Sequence, residues 1–177
     1  MLRSVSRLAA FTVGGCLIFV APGAAQRGSP ELASFFNGKL FAKGKFADYL
    51  SGTTRGLQVK IEGEAKGTTL NLVEDMVYSD GETRRYVWKF VKSEAGDYVG
   101  HRADLIRTAK VVLKGEVLEI SYKAHVAMRD GTEHDLDFLE SFTFVNTSTA
   151  DYLVKISKIY IPVADAQLVV QKIASAQ

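Results

Sequence analysis

Residues Asn71 to Phe90 read NLVEDMVYSDGETRRYVWKF. Leu72, Met76 and Tyr78 before the Ser79-Asp80-Gly81 triplet, and Tyr86, Trp88 and Phe90 after it, alternate with polar neighbours, the period of a half-buried strand. Two such runs around a Gly-containing triplet make a β-hairpin. Glu74 breaks the apolar set. It shares a face with Leu72 and Met76, where a carboxylate needs a partner.

Outward from this hairpin the same period recurs, and long segments of helical period are missing. Gly38, Leu40, Ala42, Gly44 and Phe46 share one face, with Lys39, Lys43 and Lys45 opposite. Leu57, Val59 and Ile61 follow, then Ala109, Val111 and Leu113, then Leu118, Ile120, Tyr122, Ala124, Val126 and Met128, then Leu136, Phe138, Phe142 and Phe144. Each set lies on one side of its strand. The segment ADAQLVVQKI after Pro162 reads as a last strand on its β-branched residues, with a short helix as the alternative.

Loop lengths test whether these faces belong to one interior, because a one-residue slip turns a strand inside out. At Lys66-Gly67 and Lys114-Gly115 the inward numbers pass from odd to even, which fits two-residue turns. At Ser79-Asp80-Gly81 and Arg129-Asp130-Gly131 they stay even, which fits three-residue loops with Gly in the left-handed position. All four loops agree on a single apolar face. A long antiparallel meander with one apolar face must close or pack on a second sheet. The expectation is an all-β, antiparallel up-and-down barrel, lipocalin-like, of about 8–10 strands.

The register places Glu74 across from Tyr86 and Val59, with Arg84 one diagonal step away. If the Ser93–Asp97 connection keeps the register, Tyr86 faces Asp104 and Trp88 faces Arg102. Glu140 falls inward opposite Ile120, and His134 inward near a rim. Glu74, Arg84, Tyr86, Trp88, Arg102, Asp104, Tyr122 and Glu140 are therefore the candidate ligand-binding residues. They either orient the polar head of an apolar ligand or form a buried ion-pair network that holds register. An acid–base pair is the third possibility, since burial raises a carboxyl pKa, but no nucleophile with an adjacent base accompanies it. Inward Gly38, Ala42, Gly44, Gly100, Ala109 and Ala124 suggest room in the interior. Should Arg84 or Arg102 neutralise Glu74, Glu74→Ala would strand a buried cation and destabilise by roughly 3 to 5 kcal/mol.

The N-terminus has Arg3 and Arg7, an apolar run from Leu8 to Ala21, Pro22, and small residues before Gln26. That is the layout of a secretory signal peptide, shorter than the roughly 20 apolar residues of a membrane span. Residues 1–25 are expected to be the signal, 26–34 a short lead, 35–173 a single barrel domain and 174–177 a tail. The expected location is the periplasm after cleavage near Ala25. A lipoprotein anchored through Cys16 is the alternative, weakened by the apolar LIFVA that continues beyond it. Without Arg3 and Arg7 the 22 basic residues fall to 20, equal to the 20 acidic ones. A neutral domain does not suit nucleic acid, and Cys16 is the only thiol. His101, His125 and His134 lack metal-ligand spacing, and no nucleotide-binding loop is present. Neither cofactor nor metal is expected.

The stretches FFNGKLFAKGKF, IEGEAKGTTLNLVEDMVYSDGETRRYVW and GDYVGHRAD resemble a family of cell-envelope proteins, domain of unknown function 3833, whose members are often lipoproteins. The resemblance runs from about Phe35 to the C-terminus. It is carried by Glu74, Tyr78, Ser79, Asp80, Gly81, Trp88 and Asp104. The family pattern has Arg where this chain has Tyr86, a small residue at Arg102, and an Asp-Asp-Trp segment near Leu139 to Ser141 that is absent here. The resemblance implies a lipocalin-like fold and export, and no established reaction. It suggests that Arg102 or Arg84 supplies the charge that the family draws from the position of Tyr86.

The first functional expectation is an exported envelope protein, a monomer, that binds or carries a lipid or other apolar small molecule, with peripheral membrane contact. The alternatives are a structural or assembly factor with a filled barrel, and an enzyme acting on a lipid-like substrate.

Overall fold

The computed structural model describes residues 31–128 and 131–174. The expected signal peptide, Cys16, residues 26–30 of the expected lead, residues 175–177 of the expected tail, and Arg129 and Asp130 lie outside them. Among the described residues a short helix, α1 (Leu32–Phe36), precedes ten strands: β1 (Gly38–Asp48), β2 (Thr53–Lys66), β3 (Thr69–Tyr78), β4 (Thr83–Lys92), β5 (Tyr98–His101), β6 (Ala109–Lys114), β7 (Val117–Ala127), β8 (Glu133–Phe144), β9 (Thr149–Lys158) and β10 (Ile161–Lys172). Each pairs antiparallel with its sequence neighbours, and β1 pairs β10 from Leu40↔Lys172 to Asp48↔Ala164, which closes the barrel. Closure removes both sheet edges.

The three-residue loops are as expected. Tyr78 N donates to Glu82 O at 2.9 Å around Gly81 (φ 86), and Met128 N donates to Thr132 O at 2.7 Å around Gly131 (φ 82). The two-residue turns are shifted by one position. Lys66 pairs Thr69 and Lys114 pairs Val117, so the loops are Gly67-Thr68 and Gly115-Glu116. Each Gly takes the first loop position with positive φ (57 and 60), where a II′ hairpin demands it. Moving the turn by one residue moves the pairing by two, so every face is kept. Glu74 consequently opposes Ile61, not Val59, and still opposes Tyr86.

The segment after Pro162 is strand. β10 begins at Ile161, and its register shifts between Pro162 and Ala164. Proline has no N–H for the ladder, so a bulge is where a strand tolerates it. Val163 and Ala164 are both buried there.

One end of the barrel is plugged. Leu32, Phe35 and Phe36, at helical spacing, are buried. Phe35 lies edge-on to Phe144 at 4.8 Å and Phe36 to Phe142 at 5.1 Å. Lys172 Nζ donates to Ser34 O at 2.8 Å, Ala65 N donates to Asn37 Oδ1 at 3.1 Å, and Glu31 pairs with Lys92. A single helical turn is unstable alone, so burial of its rings holds it, at roughly 1.5–3 kcal/mol for each side chain. The barrel unit therefore starts before Phe35, inside the expected lead.

Five of the six small inward residues do not mark space, and Gly38 is exposed at the start of β1 with nothing within 4 Å of where a Cβ would stand. A Cβ on Gly44 would sit 1.8 Å from Gln167 O, and one on Gly100 would sit 2.8 Å from Phe90 Cε1. These glycines allow β10 and an aromatic ring to approach closely. Ala42, Ala109 and Ala124 are fully packed, and Leu113, at the end of β6, is 49% exposed.

Candidate functional site

The open space lies in the other half. A cavity of about 350 Å³ runs from the barrel interior to the turns opposite α1, with Leu50, Glu82 and Met128 at its mouth. Its walls are Leu57, Val59, Met76, Phe138, Ile156 and Leu168, among others, and its inner end carries Glu74, Glu140, Tyr122 and Tyr152.

β3 and β8 stand five strands apart whichever way the barrel is followed. Glu74 on β3 and Glu140 on β8 thus approach from opposite walls. They are 8% and 6% exposed, the buried charged residues of the described chain. Burial first, then the nearby Glu140 carboxyl, pushes the Glu74 carboxyl up to about 8, against the opposing pull of Arg102 and of a hydrogen bond from the Trp88 indole. Burial also raises Glu140, although hydrogen bonds from Tyr122 and Tyr152 and the charge of Arg102 pull the other way. Tyr122 Oη donates to Glu140 Oε1 at 2.5 Å. Burial and the neighbouring Glu140 hold both tyrosines well above their ordinary pKa, so both remain donors.

β5 keeps the expected register, Phe90↔Gly100, but ends at His101. The chain then leaves the ladder and lies along β7, with His125 N donating to Asp104 O and Ile106 N to Lys123 O, both at 2.9 Å. This detour brings Arg102 inward. Its side chain is 5% exposed and its guanidinium lies 4.2 Å from the ring of Tyr86, 4.4 Å from Trp88 and 4.9 Å from Tyr122. Nε and Nη2 donate to the two oxygens of Asp104 at 2.6 and 2.9 Å, a bidentate pair. Arg102 therefore belongs to Asp104 and not to Glu74. Trp88 lies beneath, stacked on Phe90 at 5.1 Å and 2% exposed. Trp88 and Asp104 brace the site, whereas Glu74, Arg84, Tyr86, Arg102, Tyr122 and Glu140 line the cavity.

Arg84 departs from expectation. It opposes Met76, donates to Glu82 Oε1 at 2.8 Å and reaches the carbonyl of Ala127 at 3.3 Å. Glu82 is two residues away near the mouth, where ion pairing needs less desolvation than at the buried Glu74. Around it the mouth holds a network that the sequence reading missed: Arg55 donates to Asp80 at 3.0 Å and to Glu82 at 2.6 Å, with its guanidinium 4.2 Å from the ring of Tyr78. Arg55 simply extends the inward series Leu57, Val59, Ile61 by one step. Tyr152 was missed with β9 as a whole, although Ala150, Tyr152, Val154 and Ile156 alternate. His134 sits half-buried near the mouth, as expected, 3.0 Å from Lys158 Nζ. No group of metal-ligating side chains occurs among the described residues.

The fold has solved counterparts. The S-type phycobiliprotein lyase CPES from Guillardia theta is similar over 83% of this chain and 93% of its own, with a TM-score of 0.58 and 8% identity, which supports the barrel architecture. A redesigned β-barrel, mFAP1 bound to DFHBI, is 12% identical over 81% of this chain and all of its own, with a TM-score of 0.45. Rv2717c from M. tuberculosis is 12% identical over 79% of this chain and 94% of its own, with a TM-score of 0.49. No curated protein sequence matches. The family resemblance read from the hairpin and its flanking stretches is borne out across residues 11–172: the chain belongs to the family described as protein of unknown function, DUF3833.

Proposed function

We propose that this protein binds an apolar small molecule, a lipid or lipid-like compound, inside the barrel, and that it does so in the cell envelope after export. One observation carries the reading: a cavity of about 350 Å³ with apolar walls, an open mouth and a few polar groups gathered at its inner end. Binding sites for small molecules combine these features. The chain body enters among Leu57, Met76, Phe138 and Leu168, and the polar end meets Glu74, Glu140 and the two tyrosines. Export rests on the N-terminal sequence, with periplasmic release favoured over a Cys16 anchor.

Peripheral membrane contact has support at the mouth. The adjacent β1–β2 and β9–β10 turns carry Leu50, Ile159, Tyr160 and Ile161, which are 76%, 75%, 96% and 65% exposed. Aliphatic and tyrosine side chains of this kind suit a membrane interface. A ligand could then pass between bilayer and cavity with little exposure to water. A filled structural barrel is the second reading, favoured by the dense packing next to α1.

Native mass spectrometry of protein purified from its own envelope tests the proposal by the mass of a co-purifying ligand. Trp88 reports binding in solution, because it touches Tyr122 and Arg102 at the cavity's inner end. Absence of both a bound mass and any saturable Trp88 response across a broad lipid panel would favour the filled barrel.

A further inference from the structure

The inner end of the cavity has a charge imbalance that selects among ligands. Three carboxyl groups gather there, Glu74, Glu140 and Asp104, with one guanidinium, Arg102. That guanidinium is bound through two nitrogens to Asp104. The hydrogen bonds that reach the other two carboxyls come from neutral groups: the Trp88 indole to Glu74, and the Tyr122 and Tyr152 hydroxyls to Glu140. Glu74 and Glu140 line one cavity from strands on opposite walls, close enough for the Glu140 carboxyl to raise that of Glu74.

The surroundings are aromatic. Tyr86, Tyr122, Phe138 and Tyr152 line the cavity, and Tyr122 stacks on Phe138 at 4.8 Å. Aromatic faces beside carboxylates recognise nitrogen cations. Arg102 already uses this chemistry, seated over Tyr86, Trp88 and Tyr122. An anionic head such as a carboxylate would instead lie against two buried acids. A hydroxyl head could hydrogen-bond but would bring no countercharge. At the mouth, Asp48, Asp80 and Glu82 stand with Arg55, Arg84 and Lys158, so acids match bases and the approach is not a cationic collar.

We propose that the ligand's polar end is an ammonium or protonated amine held between Glu74 and Glu140, and that its entry releases a proton from this carboxyl pair. The exchange balances: one positive charge arrives as one proton leaves to solvent, and the net charge of the inner end is unchanged. The groups facing the pair are Tyr86 from β4, Arg102 with Asp104 from the segment after β5, Tyr122 from β7 and Tyr152 from β9. Burial and the neighbouring Glu140 hold Tyr122 and Tyr152 above their ordinary pKa, and Arg102 is bound through two nitrogens to Asp104, which points to the two glutamates as the groups that titrate on binding. The raised carboxyl of Glu74 agrees with this assignment. This inference rests on the cavity-binding reading above.

The test uses the intact folded protein and three ligands with one tail: octylamine, octanol and octanoate. Each competes with the neutral fluorescent probe N-phenyl-1-naphthylamine. Octylamine is expected to bind at least about tenfold more tightly than octanol, a difference of one decade in affinity, and octanoate most weakly. Octylamine affinity should rise from about pH 5 to about pH 8, and calorimetry in buffers of different ionisation heat should show release of close to one proton for each ligand bound. Glu74→Gln and Glu140→Gln should each lower the ratio of octylamine to octanol affinity, measured for the two ligands on the same variant. The head-group comparison needs no variant, so it stands even if a variant fails to fold. If octanol or octanoate matches octylamine while the probe binds, the amine inference is overturned and the cavity reading survives. If neither the probe nor any of the three binds, both are overturned.

Discussion

Glu74 was marked by its place in an apolar alternation, and the structure buries it, but its energetic role differs from an ion-pair partner. Arg84 serves Glu82 and Arg102 serves Asp104, so Glu74→Ala strands no cation. It leaves the Trp88 indole N–H without an acceptor, and the expected loss is roughly 1–3 kcal/mol, lower than the sequence reading implied. Asp104→Asn should be the more damaging change, because it strands Arg102. A loss of roughly 3 kcal/mol is expected, the low end for a buried pair, since Asp104 is 27% exposed. Urea unfolding of the two variants ranks them. A pH dependence follows from Glu74 as well. Its folded pKa of about 8 lies above the ordinary 4.5, so the folded state holds the proton to higher pH than the unfolded chain. The stabilising contribution is whole below about pH 4.5 and lost as pH climbs through about 8, at roughly 1.4 kcal/mol for each pKa unit. Unfolding in urea across that window should show stability falling with pH in the wild type and a flatter profile in Glu74→Gln. A wild type that gains stability over the same window would contradict the burial of an uncompensated carboxyl.

Among the elements, the hairpin turns show how local chemistry sets register and where it is overridden. Gly67 and Gly115 anchor their turns at the first loop position, and Gly81 and Gly131 close the longer loops. The β9–β10 turn has no such residue. Ile159 and Tyr160 form a two-residue loop between Lys158 and Ile161 with φ of 49 and 66. A β-branched residue in that region is strained, by roughly 1–2 kcal/mol. Replacing Ile159-Tyr160 by Asn-Gly, the preferred pair for a turn with both φ positive, should raise stability by roughly 1–3 kcal/mol in denaturant unfolding. The same variant should reduce association with phosphatidylcholine vesicles in a sedimentation assay if the exposed tip contacts membrane. A stabilised protein with undiminished vesicle binding would remove this turn from the proposed contact. α1 and β9 were unread for opposite reasons. The spacing of Leu32, Phe35 and Phe36 is one turn long, too brief for periodicity to register, whereas the alternation from Ala150 to Ile156 was present in full.

For the whole molecule, closure of β1 on β10 divides the interior into a packed half under α1 and an open half above Glu74 and Glu140. A ligand that fills the open half binds only the folded state, so it should raise stability by roughly 2.7 kcal/mol when present at a hundred times its Kd. A thermal or urea midpoint that ignores saturating ligand would show that binding occurs outside the closed barrel. The alternation of apolar residues and the parity of the loops were enough to determine an antiparallel meander with Glu74, Tyr86, Tyr122 and Glu140 on its inner face, because side-chain direction along a strand has period two and survives a shift of two residues. Partner choice was not determined in this way. Whether Arg84 met Glu74 or Glu82, and whether Gly44 and Gly100 marked space or close packing, depended on where a long side chain could reach across the closed sheet and on which backbone lay opposite. The meeting of Glu74 with Glu140 across the lumen, the inward turn of Arg102 where β5 ends, and the position of the cavity came into being only with closure, which brings together strands five apart in the chain order and leaves no trace in the local pattern of either.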